Sequence, residues 1–540
     1  MKASVKKPRR SYLDKDDLGL SEVWLWGVFV IFPLIYNDHY FDILETKFTT
    51  FVVLSLGLIV LFGLYKLMSY FGKETAGKKS YIELLKNNFD IIDMGILFFI
   101  IIATISTLTA VPFVMEAFWG NEGRHTGLFL LLLYVMCFFI VSRYLEFKSY
   151  FIKAFLVVGF LMCLFGITDY FNMDILHFRR DMNVDQIYMF TSTIGNINTY
   201  TTFVGFVISL SATLYIFTDD RKKENLIKSI AYFICSAVGF MAITMGRSDN
   251  GYLSVMMLFM CLPLVSLSSF DKLRRYFTML ALYASIIKII QIIEATMGDK
   301  IFRLEGLYTH IAGFAYLNQI ILALWVITAM IFVMEYRITR IEKGSLKIKA
   351  AKFITIGWSV FIITGSIVGL FIVYKVNRAE LVINNPIIEY LRFGDRWGTF
   401  RGYIWRACIE EYNKLSFIHK IFGTGPDTFG IYMVKDPVRQ NDMLNVTAQI
   451  FDSAHNEYLQ YLFTIGPIGL AAYLMALLST VYALIKNGLN NKYMVAIAML
   501  IMCYMSQAVV NINLPISTPI FWAFLMMAKA MLRKVDTQSK

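Results

Sequence analysis

Fourteen apolar runs, most of them long enough to cross a lipid bilayer, dominate this sequence. A helix needs roughly 20 mostly apolar residues to span the hydrocarbon core of a membrane. Hydrophobic residues make up 57% of the chain and charged residues only 17%, against about 25% charged residues in soluble domains. A buried core needs far fewer apolar side chains than this, so we expect the surplus to face lipid. The sequence therefore predicts an all-α polytopic integral membrane protein with about 14 transmembrane helices.

The basic residues predict the orientation of these helices. We place the spans at residues 22–36, 48–71, 91–115, 127–142, 150–168, 198–218, 229–246, 251–267, 276–293, 311–334, 353–375, 456–485, 493–510 and 516–532. Every second connection is rich in Lys and Arg, whereas the connections between them, apart from one long loop, are poor in both. Positive residues concentrate in cytoplasmic loops. We therefore predict cytoplasmic termini, and we attribute the net charge of +12 to membrane topology and not to a nucleic-acid partner.

This alternation divides the chain into segments. They are a cytoplasmic N-terminal tail at 1–21, transmembrane helices 1–11 at 22–375, a large extracytoplasmic loop at 376–455, transmembrane helices 12–14 at 456–532 and a cytoplasmic tail at 533–540. Within the large loop, residues 396–415 carry apolar residues at helical spacing. This spacing predicts an amphipathic helix that lies along the outer membrane surface.

One histidine, His455, stands directly before a long apolar run in "DSAHNEYLQYLFTIGPIGL" (452–470). It is followed by Asn456 and lies at or just before a helix N-terminus, where backbone N–H groups and the helix dipole favour an anion. An imidazole with an ordinary pKa of about 6.5 can exchange protons at working pH. His455 is therefore either a capping or interfacial residue or a group that carries a proton in a reaction.

Several arginines lie in outer connections, where topology does not require positive charge. Arg247 lies in "TMGRSDNGYL" (244–253), in which Ser-Asp-Asn-Gly already supplies the turn. Arg401 shares a helix face with Trp405, four residues later. A guanidinium can bind phosphate oxygens in a bidentate manner, but it can also extend from a helix end towards water. For Arg396 and Arg406 the pattern slightly favours a solvated helix face.

Two blocks place glycine and asparagine at the outer mouth of a span. They are "FWGNEGRHTGL" (118–128), which contains Arg124, and "TSTIGNINTYTTF" (191–203), which contains Asn196 and Asn198. Such segments bind hydroxyl-rich ligands, and they also form ordinary turns.

One outer loop has residue types that can bind a metal ion. Asp38, His39 and Asp42 in "NDHYFD" (37–42) could hold a divalent cation, but no fourth ligand stands near them. The six cysteines show no zinc spacing. We therefore predict no metal and no cofactor.

One stretch resembles the signature of the O-antigen ligase and O-antigen polymerase superfamily. It begins with His455-Asn456, continues for nine further residues and ends with Gly466-x-x-Gly469. Members of this superfamily are bacterial polytopic membrane glycosyltransferases. Other stretches are similar to further blocks of that family: "IFGTGPDTFG", "FRGYIWRACIE", "GRSDNGYL", "GNEGRHTGL" and "GNINTYTTF". The resemblance covers most of the chain from about residue 90 to 515.

The resemblance implies a GT-C-like transferase in the bacterial plasma (inner) membrane with an extracytoplasmic active site. The donor would be a glycan on a polyisoprenoid diphosphate such as undecaprenyl diphosphate, and the acceptor a lipid, glycan or protein. By position, His455 resembles the catalytic histidine, and Arg247 and Arg401 resemble the arginines that hold the diphosphate. Six further residues could support this site: Arg124, Arg396, Arg406, Asn196, Asn198 and Asn456. Ligase and polymerase remain open, because both need the same clamp and base.

The chemistry of the reaction agrees with this assignment. A diphosphate leaving group carries about two negative charges, which a metal ion or fixed guanidinium groups must neutralise. The arginines favour a metal-independent, inverting reaction in which His455 acts as the base, an effect typically worth about 10²–10⁴-fold. The alternative from another class is a transporter of lipid-linked glycans. Few ionisable residues lie in the spans, Lys288 being the deepest, which counts against ion-coupled transport but not against a passive flippase.

Overall fold

The structure, a computed structural model, describes residues 19–71, 89–219, 223–341, 347–378, 388 and 390–539. Within these residues the chain is mostly helical and has almost no sheet, which confirms the all-α prediction. Strands are limited to an antiparallel hairpin of Phe190–Thr191 with Gly195–Asn196. Some predicted segments lie outside the described residues: most of the N-terminal tail, the basic stretches at 72–88, 220–222 and 342–346, and residues 379–387 of the long loop.

Each of the fourteen predicted spans overlaps a helix. Among the described residues, nine helices are long and apolar enough to cross a membrane: Ile43–Met68, Ile91–Thr109, Tyr150–Tyr170, Ile197–Phe217, Lys223–Met245, Phe270–Lys300, Leu317–Ile341, Ala351–Asn377 and Gly466–Gly488. Four shorter apolar helices are Leu20–Leu34, Leu128–Tyr144, Asn250–Ser266 and Lys492–Gln507. The last helix is Thr518–Ser539. Shorter helices lie between them: Val114–Trp119, Val184–Ile187, Leu307–Ala312, Trp397–Lys414, Phe417–Phe422, Phe429–Lys435, Pro437–Thr447 and Glu457–Thr464.

One central helix organises the packing. In Ile197–Phe217, 94% of the most apolar stretch is buried, and this helix packs against Lys223–Met245, Asn250–Ser266 and Lys492–Gln507. In Ala351–Asn377 the corresponding stretch has no buried residue, although it is more apolar. Apolar side chains that cover the outside of a helix bundle are expected where the surroundings are lipid.

The contacts between connections form two separate sets. The predicted outer connections contact one another, as in His125 with Glu45, Asn121 with Asp427, Tyr390 with Asp249 and Arg401 with Val510. The predicted inner connections and the helix ends next to them also contact one another, as in Lys148 with Glu22, Lys529 with Asp90 and Lys492 with Thr218. Helices of 16 to 29 residues separate the two sets, which is roughly 24–43 Å at 1.5 Å per residue. The outer connections therefore gather at one end of the bundle.

The predicted amphipathic helix at 396–415 differs from expectation in two ways. Gly398, Thr399 and Phe400 have φ values of 58°, 55° and 67°, so the regular helix begins at Arg401. Most of its apolar face is also covered by protein, although Ile409 is exposed. Tyr403, Ile404, Ala407 and Cys408 are buried in a second, smaller core with Phe429, Met433, Met443, Phe451, Ala454 and Phe463. A local apolar face predicts burial, but it does not say which partner buries it.

The predicted span at 456–485 consists of two helices that meet at Gly466. Gly466 has φ +77°, and an added Cβ would overlap the carbonyl oxygen of Ile421. The glycine turn that begins at Gly423 lies against this break, where Thr424 N–H donates to Phe463 O at 3.1 Å and Gly425 N–H donates to Thr464 O at 2.9 Å. The long apolar helix therefore starts ten residues later than predicted, and two glycine motifs of the sequence pack on each other.

Ionisable groups are buried more deeply than expected. The prediction that Lys288 lies deepest along the spans stays a prediction. Glu457 is only 1% exposed. Its carboxylate accepts hydrogen bonds from Tyr473 OH at 2.6 Å and Tyr504 OH at 2.7 Å. At the other end of the bundle, Lys529 forms an ion pair with Asp93 at 2.9 Å.

Candidate functional site

The backbone at His455 is fixed by its neighbours, and His455 does not cap the helix that follows. Asn456 is the cap, because its side-chain oxygen accepts the N–H groups of Tyr458 and Leu459, both at 3.0 Å. His455 itself has φ +47°, a left-handed conformation that is uncommon for a residue with a side chain. Of the two roles that the sequence left open, the structure gives the capping role to Asn456.

The residue before His455 is held from both sides. Trp405 Nε1 donates a hydrogen bond to Ala454 O at 3.0 Å, and Ala454 N–H donates to the Gln460 side-chain oxygen at 2.9 Å. Trp405 belongs to the helix that begins at Arg401, so this helix and Glu457–Thr464 together position the histidine. These hydrogen bonds explain how an uncommon backbone conformation is maintained at the mouth of the bundle.

The His455 ring is half-buried and packs edge-to-face on Phe451, with 5.6 Å between the ring centroids. No residue in the described part of the chain forms a hydrogen bond with it. Burial, together with the positive charges of Arg401 and Arg124, lowers the pKa of His455 to about 3, against the opposing charge of Asp452. The imidazole is therefore neutral between pH 5 and 8. Its lone pair can accept a proton, although the positive surroundings make it a weak base.

Arg401 lies close enough to His455 for its charge to act on the ring. Its Nε donates to Val510 O at 3.0 Å, and its Nη1 donates to Gly398 O at 2.8 Å and to Thr399 Oγ1 at 3.2 Å. Within the described residues, Nη2 has no hydrogen-bond partner. Burial lowers the pKa of Arg401, but the guanidinium stays charged at physiological pH. Arg401 is thus a fixed cation with a free donor beside the histidine.

Arg124 is the second cation beside His455, and it is held by a carboxylate. Its guanidinium binds Asp452 with two nitrogens, one of them, Nε, at 2.8 Å from Oδ2. Burial would raise the pKa of Asp452, but the hydrogen bonds and charge of Arg124 lower it below its usual range. The loop that carries Arg124 is itself fixed, because Asn121 N–H and Thr126 N–H donate to Asp427 at 2.8 and 3.1 Å.

A narrow cavity of about 20 Å³ opens next to these groups. Its polar lining comes from Arg124, Asp427, Ser453, Gln460, Tyr461 and Asn513. The Ser453 hydroxyl and the Asn513 side-chain oxygen are buried without a hydrogen-bond partner in the described part of the chain. A volume of this size holds about one water molecule. The cavity is therefore too small for a ligand much larger than water.

Arg247 lies at the same end of the bundle, but its guanidinium is directed to a different cluster. Its Nη2 donates to Phe190 O at 3.0 Å, and its charged carbon stands 4.6 Å from the centroid of the Phe302 ring. Arg179 stands 4.8 Å from the same ring and forms an ion pair with Asp169 at 3.0 Å. The structure thus brings Arg401 and Arg124 to His455, and it directs Arg247 elsewhere.

Sequence reasoning did not single out Arg179. The available signal was the pair Arg179-Arg180 in an outer connection, where topology does not require positive charge.

The turn that carries Arg247 is joined to the site through amide side chains. Asn198 is the centre of this network. Its side-chain oxygen accepts hydrogen bonds from Ser248 Oγ at 2.7 Å and from Asn250 Nδ2 at 3.2 Å. Its backbone carbonyl accepts a hydrogen bond from Asn511 Nδ2 at 3.3 Å. Asn196 caps the following helix by accepting the Asn198 N–H at 2.9 Å. Both predicted asparagines therefore hold elements together, and their side-chain oxygens are already used.

Asp249 links the same turn to the long loop, because it accepts a hydrogen bond from Tyr390 OH at 2.6 Å. Its negative charge acts on Arg401 and opposes the lowering of the Arg401 pKa by burial.

The remaining predicted residues lie at the surface. Arg406 binds Asp395 at 2.9 Å and Glu410 at 3.1 Å, with 45% of its side chain exposed. Arg396 is exposed. This placement agrees with the solvated helix face that the sequence slightly favoured for both arginines.

The predicted loop at 37–42 uses its carboxylates internally. Asp42 accepts hydrogen bonds from Asn37 Nδ2 at 2.8 Å, Asp38 N–H at 2.9 Å and Thr46 Oγ1 at 3.0 Å. In the described ranges, no group of three His, Cys, Asp or Glu side chains is arranged to hold a metal ion.

No protein-family model matches this chain, and no curated protein matches it. The resemblance to O-antigen ligases and polymerases therefore rests on the sequence motifs themselves.

Proposed function

We propose that this protein is a membrane glycosyltransferase that moves a glycan from a polyisoprenoid diphosphate, such as undecaprenyl diphosphate, to an acceptor hydroxyl. In this proposal all fourteen apolar helices cross the bacterial plasma membrane, both termini are cytoplasmic, and the end that contains His455 faces outward. The observation that carries the proposal is the pairing of a neutral imidazole with guanidinium groups at one mouth of a helix bundle, beside motifs that resemble those of the O-antigen ligase superfamily.

The proposed reaction is a single displacement. His455 accepts the proton of the acceptor hydroxyl while the hydroxyl oxygen bonds to the anomeric carbon of the donor. The bond between that carbon and the diphosphate oxygen breaks, and the lipid diphosphate leaves with the electron pair. Arg401 stabilises the charge that develops on the leaving group. One displacement inverts the anomeric configuration.

The positive surroundings of His455 suit an anionic donor. Without donor, the nearby guanidinium charges make the imidazole a weak base. A bound diphosphate brings negative charge beside the same arginines and offsets their effect on the ring. We therefore expect His455 to become a stronger base when the donor is in place, which couples the proton transfer to donor binding.

The experiment that tests this function uses the purified full-length protein in lipid nanodiscs with a defined undecaprenyl-diphosphate glycan and acceptor. We expect transfer that persists with a chelator, loss of transfer in His455→Ala, and retention in His39→Ala, a matched control at a half-exposed outer histidine. Loss of transfer with chelator would contradict metal independence. Full activity of His455→Ala would contradict the assignment of the base.

Two alternatives remain distinct in the same assay. An O-antigen-type polymerase extends lipid-linked repeats and gives a ladder of products, whereas a ligase gives one transferred glycan. A transporter of lipid-linked glycans gives no new glycosidic bond. The buried Glu457 carboxyl favours this last alternative to a degree, because proton-coupled carriers place carboxyl groups inside the bundle. Movement of a labelled lipid across vesicles that depends on Glu457 but not on His455 would support it.

A further inference from the structure

We propose that Arg124 is a second anion-binding guanidinium at His455 and that Asp452 is its resident counter-ion. The diphosphate of the donor displaces Asp452 from Arg124, and the released carboxylate then accepts a hydrogen bond from the imidazole N–H of His455. This inference rests on the proposed function, because the displacing anion is the donor of that reaction. The ligand class is a diphosphate that arrives from the outer face.

The geometry of the ion pair permits such an exchange. Arg124 is held in place with 14% of its side chain exposed, whereas Asp452 is 50% exposed. An incoming anion can therefore approach the carboxylate side of the pair without opening the core. Guanidinium binds phosphate and carboxylate oxygens with the same bidentate geometry, so a diphosphate can take the position that Asp452 occupies.

A second observation points to a ligand at the same place. Ser453 follows Asp452 in the chain and lines the cavity that Arg124 also lines. Its hydroxyl is buried and has no hydrogen-bond partner among the described residues. Buried polar groups of this kind are ordinarily satisfied, so an unpaired donor beside a cation indicates a partner that arrives from outside. A phosphate oxygen bound to Arg124 can accept this hydrogen bond.

The charges that act on His455 explain what the exchange achieves. Among the described residues, Arg401 and Arg124 are the cations that act on the ring, and Asp452 is the anion. While Arg124 binds both oxygens of Asp452, the carboxylate is occupied by the guanidinium. Once released, it can hold the N–H of one ring nitrogen, which leaves the lone pair of the other nitrogen for the acceptor hydroxyl. Asp452 is thus a positioning residue, and Arg124 is a donor-binding residue.

The test measures the protonation of His455 without the transfer reaction. Deuterium exchange at the imidazole C2 position, followed by mass spectrometry across a pH series, reports the pKa of each histidine separately. The sample is the full chain in nanodiscs, and the probe is inorganic pyrophosphate. We expect pyrophosphate to raise the pKa of His455 by at least one pH unit and to leave C2 exchange at the half-exposed His39 unchanged.

Two variants assign the effect to the pair. In Arg124→Gln we expect the response to pyrophosphate to fall to less than half, and in Asp452→Asn to fall as well, because no carboxylate is released. Arg303→Gln and Asp395→Asn, which break exposed ion pairs elsewhere, are matched controls and should keep the full response. If Arg124→Gln does not fold, Arg124→Lys replaces it and should show a weakened response.

The outcome separates this inference from the proposed function. An unchanged His455 pKa in the wild-type protein, or an equal response in the Arg124 variants, would overturn the exchange even if transfer activity is found. A pKa response that depends on Arg124 and Asp452 would support the exchange even if no glycan is transferred.

Discussion

Replacement of Gly466 by alanine tests the joint between the bundle and the smaller core. Gly466 has φ +77°, and an added Cβ would overlap the carbonyl oxygen of Ile421 and lie 2.6 Å from its carbonyl carbon and 2.9 Å from Gly423 N. All three atoms belong to the backbone, so no side-chain rotation relieves the overlap. The glycine turn must move away from the start of the Gly466–Gly488 helix.

The cost follows from three contributions. The left-handed conformation costs a residue with a side chain about 1–2 kcal/mol. The steric overlap costs about 1–3 kcal/mol. The hydrogen bonds from Thr424 and Gly425 to Phe463 and Thr464 contribute about 1 kcal/mol each and would be strained or lost. If both hydrogen bonds are lost, we expect the Gly466→Ala variant to be destabilised by roughly 4–7 kcal/mol, a large part of a typical folding free energy of about 5–15 kcal/mol.

The assay is thermal unfolding of the detergent-purified protein, followed by the loss of the monodisperse peak in size-exclusion chromatography. We expect Gly466→Ala to lower the melting temperature by more than about 5 °C. The matched control is Gly369→Ala, where an added Cβ meets no atom within 4 Å, and its melting temperature should stay within about 2 °C of the wild type. A Gly466→Ala protein that melts together with this control would refute the argument that backbone contact at Gly466 fixes the position of the His455 segment.

Three further predictions concern His455 and its surroundings. In Arg401→Met we expect the pKa of His455 to rise, because one repelling charge is removed. Arg396→Met should leave the pKa of His455 unchanged. Deuterium exchange at the imidazole C2 position measures this pKa in both variants. In Asn456→Ala the helix loses its cap, and we expect a destabilisation of about 0.5–2 kcal/mol in thermal unfolding; an unchanged melting temperature would contradict the capping role. Because the pKa of His455 is about 3 in the folded protein and about 6.5 when unfolded, the unfolded state binds the extra proton between these values. The free energy of unfolding should therefore fall as the pH drops below 6.5, by at most about 1.4 kcal/mol per pH unit. In His455→Gln the free energy of unfolding should fall less steeply between pH 7 and 5.

The sequence predicted the helices well because apolar composition and helix length are local properties. Each of the fourteen apolar runs corresponds to a helix, and the alternation of basic connections matches the two ends at which the connections meet. Two glycine motifs quoted from the sequence, the turn at 423–425 and Gly466, pack on each other in the folded chain.

The tertiary structure decided which side chains surround the histidine. Arg247 and Arg124 both lie in outer connections, and nothing local distinguishes them. Asp452 and the loop fixed by Asp427 hold Arg124 beside His455, whereas Phe190 and Phe302 hold Arg247 away from it.

The same applies to the residues that lie at the joints. The sequence placed His455 before a helix, but only the folded chain shows that Asn456 caps it and that the long helix begins at Gly466. It also shows that the apolar face of the helix at Arg401 packs on protein. Apolar composition determines that a segment leaves water, because the free energy of this transfer depends on the segment itself. The direction of a guanidinium or the break in a helix depends on partners hundreds of residues away, and those partners are set only when the whole chain has packed.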